Sequence, residues 1–188
     1  MRLWHRALRR SGLPVRLSEG FHVRQRVSFA LARGVGIASE AEWLEFELVD
    51  WVNPETVYRE LAPQLPPALA IVELAVVAPS DRAVVRQVAY RVQLHGAPPD
   101  LSRRIEDLMA RPQIVVQRGE PGRTRSLDVR PLLLRIEQRD GELLLLAESR
   151  NEGSVRPEEV LALLGLDERT IARSLITRAE ARLADQQP

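Results

Sequence analysis

A chain of 188 residues with 45% hydrophobic and 28% charged side chains can bury one good core or two small ones, which sets aside a disordered protein. It has no Cys, so a disulfide framework and a cysteine-ligated iron–sulfur cluster of its own are excluded; with no signal peptide in view, the expected compartment is the cytoplasm. The net charge of +1 hides an imbalance: residues 1–33 carry eight arginines against Glu19 alone, and all 27 basic residues of the chain are Arg.

Wound at about 100° per residue, the opening run puts Met1, Leu3, Trp4, Ala7 and Leu8 in one arc of roughly 160°, with Arg2, His5, Arg6, Arg9 and Arg10 filling the rest. This is an amphipathic helix. Ser11-Gly12 ends it and Pro14 prevents its resumption. No Ser, Thr, Asp or Asn precedes the first turn as a cap, which leads to the expectation of an upstream element. Leu13 to Leu17 then reads as a short strand and Ser18-Glu19-Gly20 as a turn. Arg24, Arg26 and Ser28 alternate with Gln25, Val27 and Phe29, so the arginines share one strand face and Val27 and Phe29 point to the core. Phe21, in the turn, is as fit for exposure as for burial. Gly34-Val35-Gly36 turns the chain, and Trp43 to Val49 returns as the second strand of a hairpin.

Within this stretch RALRRSGLPVRLSEGF, RVSFA and GVGIASEAEWLEFEL resemble the N-terminal signature of the radical-SAM-linked protein family, bacterial proteins of unknown function encoded beside or fused to an uncharacterised radical-SAM protein. The matching positions are Arg6, Arg9, Arg10, Pro14, Ser18, Gly20, Phe21, Ser28, Phe29, Gly36, Ser39, Glu40 and Glu42. His22-Val23 stands for a usual Asn-Pro, Leu17 for a Tyr and Glu45 for an Asp. A weaker likeness continues through YRVQL and LDVRPLLLRIE. The resemblance implies a radical-SAM partner, a structural or partner-binding duty for Glu40 and Glu42, and a strand ahead of the first helix that this chain lacks.

Asn53-Pro54-Glu55 starts a helix, with Asn as cap, Pro at the first position and Glu facing the positive dipole end. Val57, Tyr58, Leu61 and Leu65 form its expected buried stripe, and Pro66-Pro67 stops it. Leu69 to Val77 reads as a buried strand: the most apolar run of the chain, too short to span a bilayer and interrupted by Glu73. With a strand restored in front, the first half becomes a ferredoxin-like βαββαβ unit. An unpaired edge beside Leu69 to Val77 or the second lobe is then expected, with a tendency to aggregate.

A joint follows at Pro79-Ser80-Asp81. Beyond it come a strand from Val84 or Val85 to Leu94, a helix from Asp100-Leu101-Ser102 to Ala110, and a strand from Ile114 to Arg118. A turn at Gly119 to Gly122 leads to strands over Leu127 to Glu137 (interrupted near Pro131) and Glu142 to Glu148, joined by Asp140-Gly141. Arg156-Pro157-Glu158-Glu159 starts a helix ending at Gly165, and Asp167 caps a last helix to about Leu183. The expectation is an α+β protein of two ferredoxin-like-related lobes, 1–79 and 80–188, the first without its first strand; one continuous sheet is the other possibility.

Sites of chemistry are scarce. His5, His22 and His95 lie in three elements without ligand spacing, so no metal or other cofactor is expected. Gly34-Val35-Gly36 lacks the third glycine of a dinucleotide loop and enters a strand. Glu45 and Glu47 read as a solvated acidic face, and no nucleophile set or phosphate loop supports catalysis. What remains is a positive surface expected to be continuous, made of Arg2, Arg6, Arg9, Arg10, Arg16, Ser18, Gly20, Phe21, His22, Arg24 and Arg26. Arginine forks onto phosphate and stacks on bases, so the expected function is a non-catalytic accessory domain of a radical-SAM system that binds RNA, tRNA or rRNA, away from any membrane. The alternative is a module whose arginines grip an acidic face of the radical-SAM partner without nucleic acid.

Overall fold

The computed structural model describes every residue except 79, 120–121, 151–152 and 185–188. The fold is mixed α+β and divides into two compact units, Met1–Ala30 with Trp43–Ala83, and Leu31–Glu42 with Val84–Pro188. The chain therefore leaves the first unit for twelve residues, contributes them to the second, and returns.

In the first unit α1 (Arg2–Arg10) ends at Ser11, whose hydroxyl donates to the Leu8 carbonyl at 2.8 Å, and Gly12 follows at φ +69°. Ala7 and Leu8 are fully buried; together with Val15 and Leu61 they form a small core on which Trp4, Leu13, Val27, Phe46, Leu48, Leu65 and Ile71 pack. Strands β1 (Val27–Phe29) and, later in the chain, Leu44–Phe46 pair antiparallel with Val27 opposite Phe46. The hairpin partners expected from alternation do meet, but their connection makes no simple turn. It runs through the second unit, where β2 (Ala38–Ser39) joins another sheet. The returning strand is β3 (Leu44–Phe46). Leu13 to Leu17 is reduced to two isolated bridges, Val15 to Leu48 and Leu17 to Gln25.

Helix α2 (Pro54–Leu61) begins as its sequence dictates: the Asn53 side chain accepts from the Glu55 N–H at 2.9 Å and Pro54 takes the first position. Val57 and Leu61 are buried, whereas Tyr58, expected inside, is half exposed. The stripe is narrower because α2 is only eight residues long and passes into a 3-10 turn at Ala62–Gln64. Leu69 to Val77, expected as a buried strand, pairs with no strand, and Leu69, Val72, Val76 and Val77 are exposed. Ile71 alone of this run packs on the small core. The βαββαβ arrangement expected of the first half is therefore not built in this unit.

The second unit carries one large sheet. Its strands are β4 (Val85–Gln93), β7 (Leu133–Arg139), β8 (Glu142–Arg150) and β10 (Leu175–Leu183), in spatial order β2-β10-β4-β8-β7, with β9 (Gly153–Ser154) on β8. Each neighbouring pair of the four long strands is antiparallel. Helix α3 (Leu101–Met109) follows β4, and α4 (Pro157–Leu163) and α5 (Glu168–Arg173) precede β10, so the chain runs β-α-β-β-α-β with the split order fourth, first, third, second. A separate hairpin, β5 (Val115–Arg118) with β6 (Arg125–Asp128), is inserted after α3. The turn expected at Gly119 to Gly122 falls partly outside the described residues. Asp140 at φ +52° and Gly141 at φ +82° make the tight turn between β7 and β8.

The largest correction lies at the C-terminal end. The helix expected from Asp167 to about Leu183 stops at Arg173, and LITRAEARL is instead an interior strand of the sheet. Local helix preference loses to pairing on both edges, antiparallel with β4 and parallel with β2. A bulge between Arg178 and Glu180 lets Arg178, Ile176 and Ala181 all be buried.

Candidate polyanion-binding surface

The core of the first unit fixes which way each arginine points. Ala7 and Leu8 face the core, so Arg2, Arg6, Arg9 and Arg10 occupy the outward side of α1, and all four are exposed. Arg9 and Arg10 suit the negative end of the helix dipole, but Arg2 sits at the positive end, where a cation costs stability. Among the described residues no carboxylate pairs with Arg2, Arg6 or Arg9, and α1 has no acidic residue in its first turn. Arg10 donates to the Gln64 carbonyl at 2.7 Å, which pins its guanidinium against the 3-10 turn.

The strand arginines are differently placed. Val27, Phe46, Leu48 and Val15 pack toward α1, so by strand alternation Arg16, Arg24, Arg26 and Ser28 project from the other side of the small sheet. There Arg16 and Arg26 share the Glu47 carboxylate at 3.7 and 3.1 Å, and Ser28 donates to Glu45 at 3.4 Å. The continuous positive surface expected from the sequence is thus two surfaces, one on the helix without carboxylate partners and one on the sheet, where Glu47 pairs with Arg16 and Arg26 but Arg24 has no carboxylate partner among the described residues. The first unit as a whole holds nine arginines and eight carboxylates.

Between them projects the loop 18–24. Ser18 closes it: its N–H donates to the Arg24 carbonyl at 2.6 Å and its hydroxyl accepts from the Arg24 N–H at 3.0 Å. Gly20 takes φ +112°, a conformation rare for L side chains. Phe21 is fully exposed, edge-on to the exposed His22 with ring centroids 5.6 Å apart. Ser18 and Gly20 are therefore builders of the loop, and Phe21, His22 and Arg24 are what it presents. His5 meets Gln25 at 3.2 Å, which ties the α1 side bearing Arg2 and Arg9 to the base of this loop.

Glu40 and Glu42 lie in the second unit, each paired with an arginine of that unit. Glu40 accepts from Arg91 of β4 at 2.7 Å, and Arg91 also lies 3.6 Å from Glu142 of β8. Glu42 pairs at 3.3 Å with Arg178, whose side chain is 2% exposed. Arg178 also donates to the carbonyls of Leu31 and Ala32 at 3.4 and 2.9 Å, and its guanidinium carbon stands 6.0 Å from the Tyr90 ring centroid. Sequence reasoning missed Arg178 because it read β10 as helix; the alternation in LITRAEARL was the available signal. Arg91 lay in a strand that was read correctly, but its two carboxylate partners are far away in sequence.

Among the described residues no three His, Asp or Glu side chains gather as a metal site. No helix among them is long and apolar enough to cross a membrane. A family model described as "Uncharacterized protein conserved in bacteria (DUF2344)" matches residues 1–157. No curated protein and no solved structure matches the chain.

Proposed function

The chain belongs to the DUF2344 family of bacterial proteins, and from that premise we propose that it is a non-catalytic accessory protein that binds RNA through the outward face of α1. The observation that carries this reading is the row Arg2, Arg6 and Arg9, exposed and without carboxylate partners among the described residues. Charges placed for solubility alone are usually interleaved with the opposite sign, and Arg2 works against its own helix. Guanidinium groups in such a row neutralise successive phosphates and release counterions, giving sequence-independent binding that weakens steeply with salt. Phe21 adds an exposed ring on which a base can stack. The working partner proposed from the N-terminal signature is a radical-SAM protein, to which the RNA, tRNA or rRNA, is presented and in which any chemistry resides.

Fluorescence anisotropy with a labelled RNA tests this. Wild-type protein should bind, and the combined change Arg2→Glu, Arg6→Glu and Arg9→Glu should weaken binding by more than about 100-fold at moderate salt. Binding that survives the triple change refutes the surface. The same arginine row also suits an acidic protein face, since steering by charge does not distinguish the two. Co-purification with the radical-SAM protein after nuclease treatment separates them: a complex that persists without RNA and is lost in the triple variant favours the protein-docking reading.

A further inference from the structure

Beside the arginine row, α1 and the 3-10 turn after α2 enclose a shallow open depression of about 510 Å³. It is lined by Leu3, Arg6 and Arg10 of α1 and by Pro63, Gln64, Leu65 and Pro66. Arg10 is held in place by the Gln64 carbonyl at 2.7 Å, so one flat cation of the lining is fixed before any ligand arrives. Arg6 has no such partner among the described residues. Leu3, at 39% exposure, is an apolar side chain of the lining that remains open to solvent beside these arginines.

We infer that this depression receives one unstacked nucleotide of a single-stranded RNA segment, its base against Pro63, Leu65 and Pro66 and its phosphate on Arg6; the inference rests on the RNA reading above. A duplex presents only phosphate and sugar to a helix face and has no free base for an apolar recess. A single strand presents both, and a guanidinium plane beside a proline-bearing lining matches the two faces of a nucleotide: charge at one end, a flat ring at the other.

The test compares a fluorescein-labelled 12-nucleotide single-stranded RNA with a duplex of equal length. Wild-type protein should prefer the single strand by about tenfold, and Leu3→Ser with Pro63→Ser should remove most of that preference. On the unmodified protein, a 2-aminopurine placed in the single strand should change its emission on binding. Equal affinity for the two RNAs, or an unchanged 2-aminopurine signal, overturns the nucleotide site while leaving the arginine face standing. Binding to neither RNA sinks the RNA reading, and this site with it.

Discussion

Arg178 is the most consequential single side chain outside the arginine face. A buried guanidinium needs a counter-charge and acceptors, and it has Glu42 and the Leu31 and Ala32 carbonyls, while its Nε has no partner among the described groups. Glu42→Ala should therefore cost about 3 kcal/mol in a urea unfolding transition, because it leaves the buried cation uncompensated. Arg178→Met, which removes the charge itself, should cost less. Asp128 belongs to a different class. The N–H groups of Ile114 and then Arg130 bond its carboxylate and hold its pKa below the ordinary value. Asp167, capping α5 through the Thr170 N–H, is lowered in the same way. For each, the unfolded chain binds the proton more readily than the folded one. The stability they contribute is complete above about pH 4 and is lost as pH falls through the lower folded value. Asp128→Asn should flatten the dependence of the urea midpoint on pH in that acid range and leave its slope near pH 7 unchanged.

At the scale of elements, α1, α2 and α3 were legible because each carries its own instructions: a stripe, a cap or a stop within a dozen residues. The alternation in β4 and in Arg24 to Phe29 was equally local, and the observed burial follows it. Two elements went wrong for opposite reasons. LITRAEARL has good helix formers and an acidic cap upstream, yet becomes a strand because β2 and β4 offer it two edges, a fact held by residues far away in the chain. Leu69 to Val77 has strong strand composition but no edge to pair with, and a strand without a ladder is only an extended segment. The candidate site divided similarly. Periodicity placed the arginines of α1 correctly, but the carboxylate that neutralises Arg16 and Arg26 comes from β3's continuation at Glu47, and nothing in the local sequence announces that pairing. The exposed valines carry a consequence of their own. Val72→Lys with Val76→Lys should lower self-association in light scattering while leaving the thermal midpoint within about 2 °C, since both side chains already face solvent.

For the molecule as a whole, the reading turns on how its charge is spent. A chain of net charge +1 has no general attraction for a polyanion, and the second unit uses several of its arginines internally. Arg118 forms a two-pronged pair with Glu159 at 2.8 and 2.6 Å, Arg130 donates to the carbonyls of Arg111, Leu133 and Met109, and Arg178 is buried. Against that background Arg2, Arg6 and Arg9 form a row along one helix face with no carboxylate partner among the described residues. The salt dependence of RNA affinity tests this most directly, because its slope counts the phosphates neutralised. Changing Arg2, Arg6 and Arg9 together to Ala should lower the slope of log K against log salt by about 2, whereas Arg16→Ala with Arg26→Ala should leave it nearly unchanged. An unaltered slope in the first variant, or an equal loss in the second, would contradict the assignment of the binding surface to α1.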